Sequence, residues 1–374
     1  VRIGVVTTSY PRFAGDAAGI FVEGHARALC ELGHDVEVIA AGDRATGERR
    51  AASPRPATGD AGPGAPAPRV LRVGGRGLFY RGGAPDALER TPLAAGAEAI
   101  AFTARLAAEV ARRARRWDRI VAHWLVPSAL AALPARKPLL AIAHGGDLYT
   151  LRRLGLLAPA LHLLHRRAAR LVFVSQALRA LAAAAAPRLA GWLAAAPVQP
   201  MGLDLARFAA LDRAPQTPPV LLVAARLVPV KGVDVAIAAL PHLRHPAELV
   251  IIGDGPERAR LAHPLRGAVS TAERDQLLRR ASVVVVPSRV LANGRTEGTP
   301  LIALEALAAG VPVVASDVGG LADLPAIHRV APDDPRALAA AIDHVLAHPP
   351  TPASLRNSVA SLDWRAIAAR LIRE

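Results

Sequence analysis

One cysteine, Cys30, stands in 374 residues, which excludes a disulfide framework and a cysteine-based zinc site and favours a reducing compartment. Aromatic residues make up only 3% of the chain. They are too few to interleave with the basic residues as a base-stacking platform, so nucleic acid is not an expected partner. Lysine is nearly absent: Lys137 and Lys231 stand against 44 arginines, a skew that, with the abundance of alanine, reads as GC-rich coding bias. Long apolar runs are missing as well. The best stretch, 120–135, is interrupted by His123 and Pro127 and falls short of the ~20 apolar residues that a membrane-spanning helix needs. A strand-like run follows Val1 without a basic leader region or a cleavage site, so no signal peptide is expected. The cytoplasm is the expected location.

What the chain does have is apolar bulk, at 52% of residues, and a length that suits two domains of roughly 150 to 200 residues. Strand-like runs are expected over 3–7, 36–40, 70–73, 119–122, 139–143, 171–174 and 198–200, then over 220–224, 249–252, 265–269, 283–286 and 312–315. Helical patterns separate them. Continuous Val/Leu/Ile runs such as VVVV at 283–286 suit strands buried on both faces of a parallel sheet, whose crossovers need the intervening helices. The fold class read from this alternation is α/β, with two doubly wound domains. The Pro-rich stretch 212–219 marks the expected junction, giving domains over 1–212 and 213–355. In the terminal segment 356–374, Ile367, Leu371 and Ile372 fall at helical spacing, so a helix is expected there, able to cross back to the first domain. Residues 42–68, rich in Pro, Gly and Ala and without periodicity, are expected to form a mobile surface loop.

Charge is shared unevenly. Residues 1–212 hold 28 basic and 16 acidic residues, net +12, against 18 and 15, net +3, in residues 213–374. Coding bias explains this blandly; an anionic partner, such as an anionic membrane surface or acceptor, explains it functionally.

The richest motif is EGTPLIALE, from Glu297 to Glu305, which follows a buried strand and a loop. Pro300 suits a first helical turn, so the amides of Gly298, Thr299, Leu301 and Ile302 would border an anion site at a helix N-terminus. Glu305 would lie in the second turn, placed to accept sugar hydroxyls, with Glu297 reaching another part of the ligand. Two carboxylates around an amide-lined anion site suit a nucleotide sugar. The bland alternative makes Glu305 a solvated helix residue. A second motif, VLLVAARLVPVK, puts Arg226 and Lys231 in a strand-to-helix loop at the carboxyl end of a strand, where open α/β sheets bind ligands. A diphosphate suits such cations, and a compact ammonium at 231 stands out among arginines. An ordinary surface pair is the competing reading.

Together with TTSYPRFAGDAAGIFVEGHARALCELGHDVEVIAAG, AHW at 122–124, HGGDLYTL from His144, PMGLDLARF from Pro200, VIIGDGPERARL and ASVVVVPSR, these motifs give nearly the whole chain a resemblance to retaining glycosyltransferases of family 4, including their Glu-x7-Glu motif. The resemblance implies the GT-B architecture, two Rossmann-like domains facing a central cleft, and a nucleoside diphosphate sugar as co-substrate. It implies that Arg226 and Lys231 neutralise the donor diphosphate, that Glu305 grips the ribose and Glu297 lies near the transferred sugar, and that Gly19 lets backbone approach the phosphate. His144 is then a histidine beside the donor sugar. Its place within HGGD outweighs the commoner reading of a core or capping histidine. Asp147, His123, Gly253 and Gly255 complete the site candidates, His123 outside the catalytic set. The resemblance also implies retention by attack on the face from which the leaving group departs; in the sequence itself Glu297 and Glu305 read as hydroxyl ligands rather than a nucleophile and acid.

No Asp-x-Asp pair occurs, Asp333 and Asp334 sit in a Pro-rich turn, and the histidines suggest no zinc pattern with a matching acid. Metal independence is expected, with no other cofactor. The first loop, Asp16 to Gly19, carries fewer glycines than many relatives, and the 257–271 stretch is short, which leaves the donor base open. The acceptor is expected to be a glycan, a lipid-linked molecule or a small molecule. Residues 151–170 combine leucines with Arg152, Arg153, Arg166, Arg167 and Arg170; they read either as a membrane-surface helix at the inner face of the cell membrane or as a core helix with a solvated face, interrupted at Pro159. Two rival functions share the fold: a nucleotide-sugar epimerase and a non-catalytic nucleotide-sugar or membrane-binding protein.

Overall fold

The structure, a computed structural model, describes residues 1–373 apart from 14, 17, 43–66, 81–86 and 89–90. The expected mobile loop therefore falls almost wholly outside the described residues. The chain forms two compact units, Val1–Gly202 with Trp364–Glu374, and Leu203–Asp363. The first division precedes the Pro-rich stretch at 212–219, and the chain passes from one unit to the other twice.

Unit 1 is built on six parallel strands: β1 (Arg2–Val6), β2 (Asp35–Ala40), β3 (Arg69–Arg72), β4 (Arg119–His123), β5 (Leu139–Ala143) and β6 (Arg170–Phe173), in the order β3-β2-β1-β4-β5-β6. Connections leave β1 in opposite directions, so a crevice forms at the carboxyl ends of β1 and β4, the switch point of this order. Around the sheet lie α1 (Ile20–Glu31), α2 (Pro92–Arg113), α3 (Gly146–Arg153), α4 (Leu157–Arg166) and α5 (Gln176–Ala185).

The 151–170 stretch is two helices rather than one. The break falls at Leu154–Leu156, around Gly155 with φ 69°. Pro159 does not interrupt: it sits in the first turn of α4, where its missing N–H costs nothing. Several of the arginines there serve carbonyls. Arg153 donates to Leu88, Arg167 to Leu133 and Lys137, and Arg170 to Leu371.

Unit 2 holds five parallel strands, β7 (Val220–Ala224), β8 (Glu248–Ile252), β9 (Val283–Val286), β10 (Val313–Ser316) and β11 (His328–Val330), in the order β11-β10-β9-β7-β8. Its switch point lies between β7 and β9. The helices that concern the site are α6 (Val233–Ala239), α7 (Thr271–Arg280), α8 (Leu301–Ala309) and α9 (Pro335–Ala347). VVVV in β9 is buried throughout, as the central strand of a sheet covered on both faces must be. Two expected strands are reduced to single bridges, Phe173↔Val198 and Ile251↔Leu265. The short edge strand β11 was not expected. Its three residues, half-buried or exposed, carry no apolar run to signal it.

The last helix, α10 (Trp364–Arg373), buries Trp364, Ile367, Ala368 and Leu371, a helical stripe at i, i+3, i+4 and i+7. It packs on α1 within unit 1. Trp364 lies so close to Gly24 and Gly202 that a Cβ at either would stand 2.3 or 2.5 Å from the indole. Glycine at both positions makes room for the ring.

Candidate active site

In unit 2, four loops at the carboxyl edge of the sheet are locked together by glycines. Gly253, φ 123°, lies against the carbonyl of Ala225, 1.8 Å from where its Cβ would be, and Gly255 lies 2.3 Å on the same measure from that of Leu227. Backbone bonds Ala225 N–H to Ile252 O (3.1 Å) and Leu227 N–H to Asp254 O (2.9 Å) join the same loops. Gly253 and Gly255 thus let the β8 loop support the loop that carries Arg226. Gly232, φ 58°, meets the Pro287 carbonyl at 2.0 Å, tying the end of that loop to the one after β9. Gly319 and Gly320, after β10, meet the carbonyls of Glu297 and Gly298 at 2.2 and 1.6 Å. Any side chain at these positions would push the loops apart.

On this platform Arg226 follows β7 and is exposed, while Lys231 closes a 3₁₀ turn just before α6. The Lys231 ammonium stands 2.8 Å from Glu297 Oε1, with both side chains mostly buried. Lys231 and Glu297, read from separate motifs, are thus brought into direct contact. Pro300 is the N-cap of α8 rather than part of its first turn, and its side chain gives no capping hydrogen bond. Thr299, Leu301 and Ile302 flank this N-terminus.

Glu305 does occupy the second turn of α8 but is only 5% exposed, so the solvated-helix alternative fails. Its carboxylate pairs with Arg274 of α7 at 3.1 Å. Sequence reasoning missed Arg274, because the pairing joins two helices and no spacing announces it. Asp333 and Asp334 form no metal pair: Asp333 bonds Arg289 at 2.7 Å, and Asp334 caps α9. His344 and His348, four residues apart on α9, face each other at 5.1 Å. Among the described residues, however, no group of three metal-ligating side chains is gathered.

Unit 1 gathers the remaining candidates at the carboxyl ends of β1, β4 and β5. Gly19, φ 73°, is the N-cap of α1, and its missing Cβ would stand 2.4 Å from the Ser9 backbone. The one glycine left in this loop is therefore required by geometry. Asp147, 3% exposed in the first turn of α3, accepts hydrogen bonds from the backbone N–H of Leu125 (2.7 Å), Gly145 (2.9 Å), Leu148 (3.0 Å) and His144 (3.3 Å). Burial pushes its carboxyl up against the pull of these donors. Its place is that of an organiser, holding the HGGD loop to the turn after β4. His144 follows β5, partly exposed, between Phe21 (4.9 Å between ring centroids) and Trp124 (4.8 Å). His123 is buried behind it, 3.0 Å from Nδ1 to His144 Nε2. His123 is thus linked to the candidate ring without lining the surface.

Residues 218–348 match the profile of the family described as Glycosyl transferases group 1. Arg226, Lys231, Gly253, Gly255 and Glu297 to Glu305 all fall inside that span. Gly19, His123, His144 and Asp147 fall outside it. The chain is 37% identical over 191 residues to the glycogen synthase of Mycobacterium tuberculosis, a match covering 45% of each chain. It is 38% identical over 117 residues to that organism's GDP-mannose-dependent alpha-(1-6)-phosphatidylinositol monomannoside mannosyltransferase, covering 27% of this chain and 30% of the other. The chain spans less than half the length of these curated relatives. At the level of fold the likeness extends over the whole chain. The Anabaena HepE structure with UDP and glucose aligns over 100% of this chain and 98% of its own, with a TM-score of 0.67 at 20% identity. The sucrose-phosphate synthase of Thermosynechococcus elongatus gives 0.66 at 21%, covering 97% of its own chain. The fold is that of the GT-B glycosyltransferases.

Proposed function

We propose that the protein is a retaining, metal-independent glycosyltransferase of family 4 that moves a hexose from a nucleoside diphosphate sugar to a glycan, lipid-linked or small-molecule acceptor. The observation that carries this reading is the charged set at the switch point of unit 2. Arg226 follows β7, Lys231 pairs with Glu297 just ahead of α8, and Glu305 within α8 pairs with Arg274, all inside the segment that matches a glycosyltransferase family.

The chemistry calls for such a set. As the bond from the sugar to the diphosphate breaks, negative charge grows on the leaving phosphate. Arg226, Lys231 and the α8 amides stabilise that charge from fixed positions. Glu305, held by Arg274, accepts ribose hydroxyls, and Glu297 serves the transferred sugar. The acceptor hydroxyl attacks the sugar carbon on the face the diphosphate leaves, and a phosphate oxygen takes its proton, which retains configuration without an enzyme nucleophile. Metal independence rests on the sequence, which offers no Asp-x-Asp pair.

The same reading carries an anionic partner, with association at the inner face of the cell membrane. Counted over the units, residues 203–363 hold 16 basic and 16 acidic residues, so the whole +15 falls on unit 1. Leu154, Leu156 and Leu163 are about half exposed beside the exposed Arg152 and Arg166. Equal binding to anionic and neutral vesicles at low salt would remove this part of the proposal.

The test of the reaction is a thermal-shift panel with uridine, guanosine and adenosine diphosphates and their glucose and mannose conjugates, on the native protein and Arg226→Ala, with and without a divalent metal. A donor at 100 times its Kd adds about 2.7 kcal/mol to stability. One base is expected to shift the native protein and not the variant, without metal. Product analysis then reads transferred sugar for this proposal and free epimerised sugar for an epimerase. No shift by any conjugate would sink the donor assignment.

A further inference from the structure

Three histidines run in a line through unit 1, and only the outermost takes part in the reading above. His25, on α1, is 1% exposed; His123, the last residue of β4, is fully buried; His144 is partly exposed. His25 Nδ1 lies 3.1 Å from His123 Nε2, and His123 Nδ1 lies 3.0 Å from His144 Nε2. At the inner end, His25 stacks on Trp364, 5.3 Å between centroids at 7°. Burial lowers His25 to about 4 and His144 to about 3, and holds His123 well below its usual value. All three rings are neutral at pH 7.

A neutral imidazole has one N–H and one lone pair. His123 sits between two rings and donates to only one, so both links must run in the same direction. His144 Nε2 is used by the link, which leaves Nδ1 as the nitrogen for a ligand. The two ends set the direction. The hydrogen bond of the His25 ring is made at Nδ1, and His25 is 1% exposed while His144 is partly exposed, so the terminal N–H is better placed at the outer end, where water or a ligand can accept it. The proton of His25 therefore sits on Nδ1 and is donated to His123 Nε2. His123 Nδ1–H in turn donates to His144 Nε2, and His144 carries its own proton on Nδ1.

We propose that His25 and His123 are positioning residues that fix His144 in its Nδ1–H tautomer, so that it meets its ligand as a neutral hydrogen-bond donor to a sugar oxygen rather than as a base. The nature of that ligand rests on the proposed function; the tautomer does not. Which ring nitrogen is protonated is set by the bond the other makes, and in water the Nε2–H form predominates, so the chain reverses the intrinsic preference.

Nitrogen-15 NMR of the histidine-labelled full chain reads the tautomer directly. His144, assigned with His144→Gln, is expected to show a protonated Nδ1 and a bare Nε2. In His123→Leu the link is gone, so His144 should return to the Nε2–H form and kcat should fall roughly fivefold, the worth of one hydrogen bond. His123→Asn keeps an amide donor at the Nδ1 place and should restore both the tautomer and most of kcat. A native His144 protonated on Nε2 would overturn the proposal, as would an unchanged tautomer in His123→Leu. If that variant does not fold, the native spectrum alone decides. If no sugar nucleotide proves to be a substrate, the glycosyltransferase reading fails while the spectra still judge the chain.

Discussion

The two units put opposite electrostatics at the carboxyl edges of their sheets. Unit 1 carries the entire net charge of the protein, yet its candidate residues are uncharged rings and one carboxyl that is wrapped in backbone N–H groups. Unit 2 has no net charge, yet its candidates include two ion pairs, Lys231 with Glu297 and Glu305 with Arg274. A charge count over a domain therefore says nothing about the charge of its site. Paired charges keep their field local and ready for a charged ligand, while desolvated histidines give up charge in exchange for a fixed hydrogen-bond direction.

The contrast can be broken most strongly from the support under the histidine chain. Trp364→Ala removes the ring that fills the space left by Gly24 and Gly202 and covers His25. It should cost about 3–5 kcal/mol of stability, read by urea denaturation. Lys231→Ala strips the charged edge of unit 2, leaving Glu297 without its cation, and should lower kcat roughly 10²- to 10³-fold with little change in fold by circular dichroism. A loss below tenfold would mean that the cations are only a surface pair.

Acid should separate the two chemistries next. The His25 ring titrates near 6.5 when unfolded and at about 4 when folded. Between these values the unfolded chain binds more protons. Stability is therefore full above about pH 6.5 and falls as pH is lowered toward 4, by about 3 kcal/mol from this ring. Melting curves across this window should flatten in His25→Phe, which keeps the stack on Trp364. The smallest effect is expected at Gly320→Ala, where a methyl against the Gly298 carbonyl displaces the loop bearing Glu297. A cost of about 1–3 kcal/mol is expected, with weaker donor binding by calorimetry.

Much of this was legible in the sequence because parallel strands and their crossovers write themselves as periods. The alternation of apolar runs and helical stripes determined two doubly wound sheets, and the edge strand β11 escaped because three half-solvated residues carry no period. The loops bearing Lys231 and Glu297 were legible too, since a strand followed by a loop and a helix puts that loop at the carboxyl edge whatever the rest of the chain does. The tertiary structure alone decided who meets whom there. Arg274 reaches Glu305 from another helix, Gly253 and Gly320 are required by carbonyls of neighbouring loops, and His25, His123 and His144 come from α1, β4 and the loop after β5. Spacing along a chain encodes which face a residue takes on its own element. It does not encode the distance between side chains on different elements, and that distance fixes a salt bridge or the proton on a buried ring.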